Sequence, residues 1–205
     1  IYPKNNKRDL SILKKLKVNF VFLPSKKDIY NSKYLSKKKL NKKDKILCAK
    51  FRKGHFEGVL DVMDRLTKLI RPQKIYMGEK DYQQLYLVKK YLEKKYRSKV
   101  ILCKTIREKS KLALSSRNIH LKKKEIIQAG NIAKNLFLFK KSLINKKDLN
   151  NSIFLKRKKL EKLFKIKIEY FELRNKYDLK ISKKIKNSKL FIAYYLNKIR
   201  LIDNF

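Results

Sequence analysis

A chain of 205 residues, 43% of them hydrophobic, can bury a real core and is not a disordered basic tail. No stretch approaches the roughly 20 apolar residues of a membrane span, and two cysteines, Cys48 and Cys103, are too few for a disulfide scaffold, so a cytoplasmic protein without a membrane partner is expected. The formal net charge of +41 would ordinarily point to a polyanion, yet only ten of the 58 basic residues are arginine and the lysines run along the whole chain, which favours a solvated lysine coat over a specific nucleic-acid surface.

The opening "IYPKNNKRDL" shows neither a signal-peptide pattern nor a starting methionine. A helix is predicted over Lys7–Leu16, then a buried strand in "VNFVFLP" (Val18–Pro24), closed by its proline. Ser25–Lys45 is polar, either a surface excursion or a short hairpin. In "GHFEGVLDVMDRLTKLIRP", Val59, Val62, Met63, Leu66 and Ile70 recur at helical spacing up to Pro72. "KIYMG" reads as a strand, "DYQQLYLVKKYLEKKY" as a helix and "KVILCKT" as another strand. Alternating strands and helices imply an α/β layer with parallel strands. Past Asn118 two long helices are predicted, about Lys122–Leu143 and Leu149–Phe164, followed by strands in "IKIEYFEL", "LFIAYYL" and "IRLIDNF". The expected organisation is therefore an α/β domain over residues 1–118 and a smaller α+β domain over 119–205.

Four glycines, Gly54, Gly58, Gly78 and Gly130, can spell neither G-x-G-x-x-G nor a P-loop, and two histidines with two cysteines give no zinc spacing. Three polar clusters remain at element junctions: "FRKGHFEGV" with Arg52 and His55, "GEKDYQQ" at the end of a strand, and "LSSRN" (Leu114–Asn118). Ligands of open parallel sheets bind outside the carboxyl ends of the strands. Basic side chains, hydroxyls and backbone N–H groups at such junctions suit a polyphosphate and its transition-state charge. Each cluster also has a plainer reading. Asp81 and Gln84 form a D-x-x-Q capping pair, His55 can be a hydrogen-bonded helix-start residue, Ser115 and Ser116 can be loop or cap residues, and Lys80 can belong to the coat.

Together the clusters resemble the pantoate–β-alanine ligase (pantothenate synthetase) family of the nucleotidylyltransferase-like superfamily. "RKGHFEGV" is similar to the family's R-P-G-H-F-x-G-V, "GEKDYQQL" to G-E-K-D-x-Q-Q-L, and "TIREKSKLALSSRN" to T-x-R-x-x-D-G-L-A-x-S-S-R-N. The "YPK" at Tyr2, "VFLPSKKDIY" and the terminal "RLIDN" follow in family order. The resemblance implies a Rossmann-like sheet and ATP-dependent condensation of pantoate with β-alanine through a pantoyl-adenylate, releasing pyrophosphate and then AMP. It implies that Gly78, Glu79, Lys80 and Asp81 lie on ATP with Lys80 on its phosphates, that Gln84 holds pantoate, and that Ile106 lines the nucleotide pocket. Leu114, Ser115, Ser116 and Arg117 correspond to the family's phosphate-binding loop, its version of a K-M-S-K-S element. Lys80 and Arg117 would be the catalytic pair, with Arg52 and His55 flanking the substrates. It further implies Mg2+ accompanying the triphosphate, with Asp9 matching an acidic position near the metal, and a homodimer.

Departures are equally specific. The family's H-x-G-H and N-P-x-Q-F segments lie upstream of where this chain begins, so the expectation is a sheet lacking its first βα segment, with an exposed edge and no turnover by this chain alone. Lys53 stands where the family has proline, Ser110 and Lys111 where it has Asp-Gly, and His120 where it has tyrosine. A related adenylate-forming ligase for a different acid and a lysine-rich polyanion binder remain open beside the main reading.

Overall fold

The computed structural model describes residues 5–30 and 39–205, which fall into two compact units, residues 1–37 and residues 38–205. In the first unit, α1 (Asn6–Lys15) starts where the Asn5 side chain accepts a hydrogen bond from the Arg8 N–H at 3.1 Å. Val18–Pro24 forms no strand, and Phe20 is 92% exposed. This corrects the expected buried strand. Apolar, β-branched sequence makes a strand only where a neighbour supplies the hydrogen-bond ladder, and no described residue does so here. Ser25 and Asp28 cap each other's backbone at the start of α2 (Lys26–Ile29). Of the expected excursion Ser25–Lys45, residues 31–38 lie outside the described residues, as does Tyr2 of the "YPK" segment.

The second unit opens with α3 (Leu47–Phe51) and α4 (His55–Ile70). Strands β1 (Lys74–Gly78) and β2 (Lys99–Cys103) pair in parallel, Lys74 against Lys99 through Gly78 against Cys103. Their crossover contains α5 (Tyr82–Val88), a π-helical turn (Lys89–Glu93) and α6 (Lys94–Tyr96) rather than one regular helix. Residues five apart sit about 140° apart around an α-helix. The wider turn lets two Lys-Tyr pairs each reach a buried carboxylate: Lys90 and Tyr91 bond Asp44, and Lys95 and Tyr96 bond Asp64.

Two long helices, α7 (Lys123–Ser142) and α8 (Leu149–Phe164), precede an antiparallel meander of β3 (Lys167–Asn175), β4 (Ser188–Leu196) and β5 (Ile199–Asn204), with a bulge between Ile168 and Tyr170. The meander is buried on both faces. Leu190, Ile192, Tyr194 and Leu196 join the core formed with α7 and α8, whereas Phe191 and Ala193 join the core of α3, α4 and α5. Two-sided burial is why "LFIAYYL" is continuously apolar instead of alternating. A parallel α/β part followed by antiparallel α+β structure is the fold class expected from the sequence.

Candidate active site

Gly54 adopts φ +76°, a left-handed conformation that favours glycine, at the turn between α3 and α4. That turn sets Arg52 just before, and His55 at, the first residue of α4, with the His55 N–H bonded to the Arg52 carbonyl at 3.2 Å. On the facing element, β1 ends at Gly78 and a single 3₁₀ turn, Glu79–Asp81, leads into α5. The Asp81 carboxylate makes no capping bond, so the D-x-x-Q pair does not start this helix.

Arg52, His55, Lys80, Asp81 and Gln84 line one narrow open cleft, which Cys48 and Tyr170 also line. The Lys80 side chain is 18% exposed, its Nζ 4.0 Å from an Asp81 oxygen. Gly78 and Glu79 adjoin the cleft through the backbone, and Glu79 is held by Lys189 at 2.9 Å. The two adjacent glutamines are not equivalent. Gln83 is buried and satisfied by backbone: its Oε1 accepts from the Ala49 N–H, and its Nε2 donates to the Asp44 and Ile46 carbonyls. Gln84 also lines the cleft, is only half-buried, and is not tied down by those backbone groups.

Ile106, Leu114, Ser115, Ser116 and Arg117 do not line this cleft. Ile106 and Leu114 face each other across a short hairpin, 71% and 53% exposed, joined by a 3.0 Å bond from the Leu114 N–H to the Ile106 carbonyl. Lys111 holds φ +71° at its turn, the conformation a glycine would take, so the hairpin closes although the glycine is exchanged. Ser115 caps the following 3₁₀ turn by accepting from the Arg117 N–H, so its plainer reading is realised. Arg117 lies near enough to act on Arg52 and His55. Burial, then the Arg117 charge, pulls the Arg52 guanidinium down, and burial followed by the Arg52 and Arg117 charges holds His55 below its ordinary 6.5.

Below the cleft, Cys48 Sγ sits 3.0 Å from the Tyr170 hydroxyl and 3.4 Å from an Arg200 Nη, and Arg200 is ion-paired with Glu169. Burial, with Cys48 beside it, pushes the Tyr170 phenol well up. Burial alone would lower the Arg200 pKa, but the bonds to Glu169 and Cys48 overcome it and raise it.

Sequence reasoning missed the supports of the site: Gln83, Arg107, Glu169, Arg200, Asp203 and Asn204. Arg107 lies in "TIREKS" and Asp203–Asn204 in "RLIDN", so the matching motifs already contained the signal. Asp9 is an exposed first-turn residue of α1 in the first unit. Among the described residues no three His, Cys, Asp or Glu side chains gather to hold a metal ion, and no helix is long and apolar enough to cross a membrane.

A cleft lined by two cationic side chains, Arg52 and Lys80, with a neutral imidazole, a carboxylate and the Gln84 side chain suits an anionic substrate held beside a phosphate. The family model for pantoate-beta-alanine ligase matches residues 1–205. The chain belongs to the pantoate–β-alanine ligase family. A Francisella philomiragia protein named pantothenate synthetase is 35% identical over 206 residues, spanning 100% of this chain and 70% of the relative. Another from Clostridium botulinum is 37% identical over 210 residues, spanning 100% and 74%. The crystal structure of pantothenate synthetase from Thermus thermophilus matches with a TM-score of 0.91 at 26% identity, over 100% of this chain and 75% of that one. That of pantoate-beta-alanine ligase from Francisella tularensis, complexed with beta-gamma ATP and beta-alanine, matches with a TM-score of 0.78 at 35% identity, over 100% and 70%.

Proposed function

We propose that this chain forms the body of an ATP-dependent ligase joining pantoate to β-alanine. One observation carries the reading: the residues of two separate family motifs, Arg52 and His55 of one and Lys80, Asp81 and Gln84 of the other, converge on a single cleft in a chain that the family model matches throughout. In the first step a pantoate carboxylate oxygen attacks the α-phosphorus of ATP. The bond to the bridging oxygen breaks and pyrophosphate leaves with the electron pair. In the second, the β-alanine amine attacks the acyl carbon, AMP leaves, and the new amide nitrogen gives up a proton.

The residues divide this work by type. Gln84 offers an amide to pantoate, while Lys80 and Arg117 offset the like-charge repulsion between a carboxylate and a triphosphate. Arg52 and His55 flank the substrates, with His55 held neutral at pH 7 by its lowered pKa. Gly78, Glu79 and Asp81 carry the ATP along the end of β1. Ile106 and Leu114 provide an exposed apolar ledge for the nucleoside, and Ser115 and Ser116 meet its phosphates. Holding both substrates in line supplies much of the acceleration. The described side chains offer no cage for Mg2+, so no step is assigned to a protein-held ion, Asp9 included; Mg2+ is proposed only as the companion of the ATP phosphates.

A cytoplasmic homodimer completes the reading, with residues 1–118 carrying the nucleotide and pantoate contacts and residues 119–205 supporting them. The test is release of pyrophosphate that depends on both ATP and pantoate, followed by AMP and pantothenate when β-alanine is added. Pyrophosphate release that ignores pantoate, or follows a different acid, contradicts it.

A further inference from the structure

Lys80 and Arg117 come from segments that neither β1 nor β2 fixes relative to one another. Lys80 sits in a three-residue 3₁₀ turn, and such a turn leaves carbonyls without helical partners. Two of them are taken by one side chain. The Asn204 Nδ2 donates to the Glu79 carbonyl at 2.9 Å and to the Lys80 carbonyl at 3.0 Å, from a residue only 3% exposed and more than a hundred positions away.

The neighbouring residue holds the other segment. Asp203 receives a fork from Arg107, Nη1 to Oδ2 at 2.7 Å and Nη2 to Oδ1 at 2.8 Å. The same guanidinium donates to the Lys111 carbonyl and to the Asn204 carbonyl, both at 2.9 Å, and lies over the Phe205 ring. Arg107 thereby clamps the hairpin that leads into Ser115–Arg117. Arg117 itself donates from Nη1 to the Arg200 carbonyl at 2.9 Å. Successive strand residues point to opposite faces, so one Asp-Asn dipeptide reaches two loops at once. The strand is in turn fixed along its length to β4.

We propose that β5 is the strut that sets the spacing of the two catalytic cations, with Asn204 positioning Lys80 and the Arg107–Asp203 pair positioning Arg117. The inference rests on the ligase reading and deepens it. Neither Asn204 nor Arg107 touches substrate in this account; each acts through the cation it holds. A displacement of about 1 Å costs on the order of 100-fold in rate, so the effect belongs in kcat.

The experiment is a double-mutant cycle on the protein containing this chain, expressed from its natural start, read by pantoate-dependent pyrophosphate release. Asn204→Ala is expected to lower kcat roughly 10- to 100-fold with the KM for β-alanine unchanged. In a Lys80→Ala background the same substitution is expected to change kcat by less than about twofold, because the group it positions is gone. A second cycle keeps the test intact where Asn204→Ala does not fold. Arg107→Lys, which keeps a charge for Asp203 but loses the fork, should lower kcat in the parent and leave it within about twofold in Arg117→Ala. Equal factors in both backgrounds, or an unchanged kcat in the parent, overturn the strut and leave the ligase intact. A parent protein with no pantoate-dependent release overturns the ligase reading itself.

Discussion

The hairpin that presents Arg107 approaches α7 closely where Ser110 meets Gly130, and Gly130→Ala tests that contact. A Cβ on Gly130 would lie 2.7 Å from the Ser110 Cβ and 3.0 Å from its Oγ. Carbon atoms prefer about 3.5–4.0 Å, so the methyl arrives roughly 1 Å too close to a group fixed to the backbone. Overpacking of this kind costs about 1–3 kcal/mol. The same methyl favours the helix by about 1 kcal/mol, since alanine replaces glycine inside α7. The net expectation is a loss of roughly 1 kcal/mol. In a Ser110→Gly background the colliding atoms are absent and only the helix term remains, so the substitution should stabilise by about 1 kcal/mol. Urea unfolding of the four proteins measures both values, with midpoints compared at constant m. A change of equal size and sign in the two backgrounds refutes the argument that this glycine is needed for the approach of the hairpin.

Two further predictions concern the cleft. Gln83→Ala leaves the Asp44 and Ile46 carbonyls and the Ala49 N–H without their side-chain partner and should cost about 2–4 kcal/mol, whereas Gln84→Ala should change stability by less than about 0.5 kcal/mol and raise the KM for pantoate; denaturant titration and steady-state kinetics separate the two. His55 has a folded pKa below its ordinary 6.5, so on acidification the unfolded chain takes up the proton first. Its contribution to stability is complete above about pH 6.5 and is lost as the pH falls through the lower folded value. His55→Gln should therefore flatten the fall in stability between neutral pH and pH 5, and an unchanged slope would show that His55 is not held neutral.

Much of the fold was legible because its signals are local. "KIYMG" is a strand with the expected bounds, and α8 runs over Leu149–Phe164 as its periodicity predicts. Val18–Pro24 misled for a physical reason: strand formation depends on a partner, and composition does not report one. The same limit applied to the site. Lys80 stood out only through its motif, since one lysine among so many carries no compositional signal. "QQ" gave no hint that Gln83 would turn inward to three backbone groups and Gln84 outward, because that depends on which face of α5 packs against the 44–49 segment. Arg107 and Asn204 act across 96 to 125 positions, beyond the reach of any periodicity. Lys111 shows the converse, a residue whose type argues against positive φ yet which adopts +71° because the hairpin on either side is fixed.

The most direct test of the account is pyrophosphate release by the protein containing this chain, measured with ATP, with and without pantoate, in the parent and in Lys80→Ala. The account predicts release that requires pantoate and falls by at least about 100-fold on loss of the lysine. Pantoate-independent release, or near-parental release by Lys80→Ala, would contradict it.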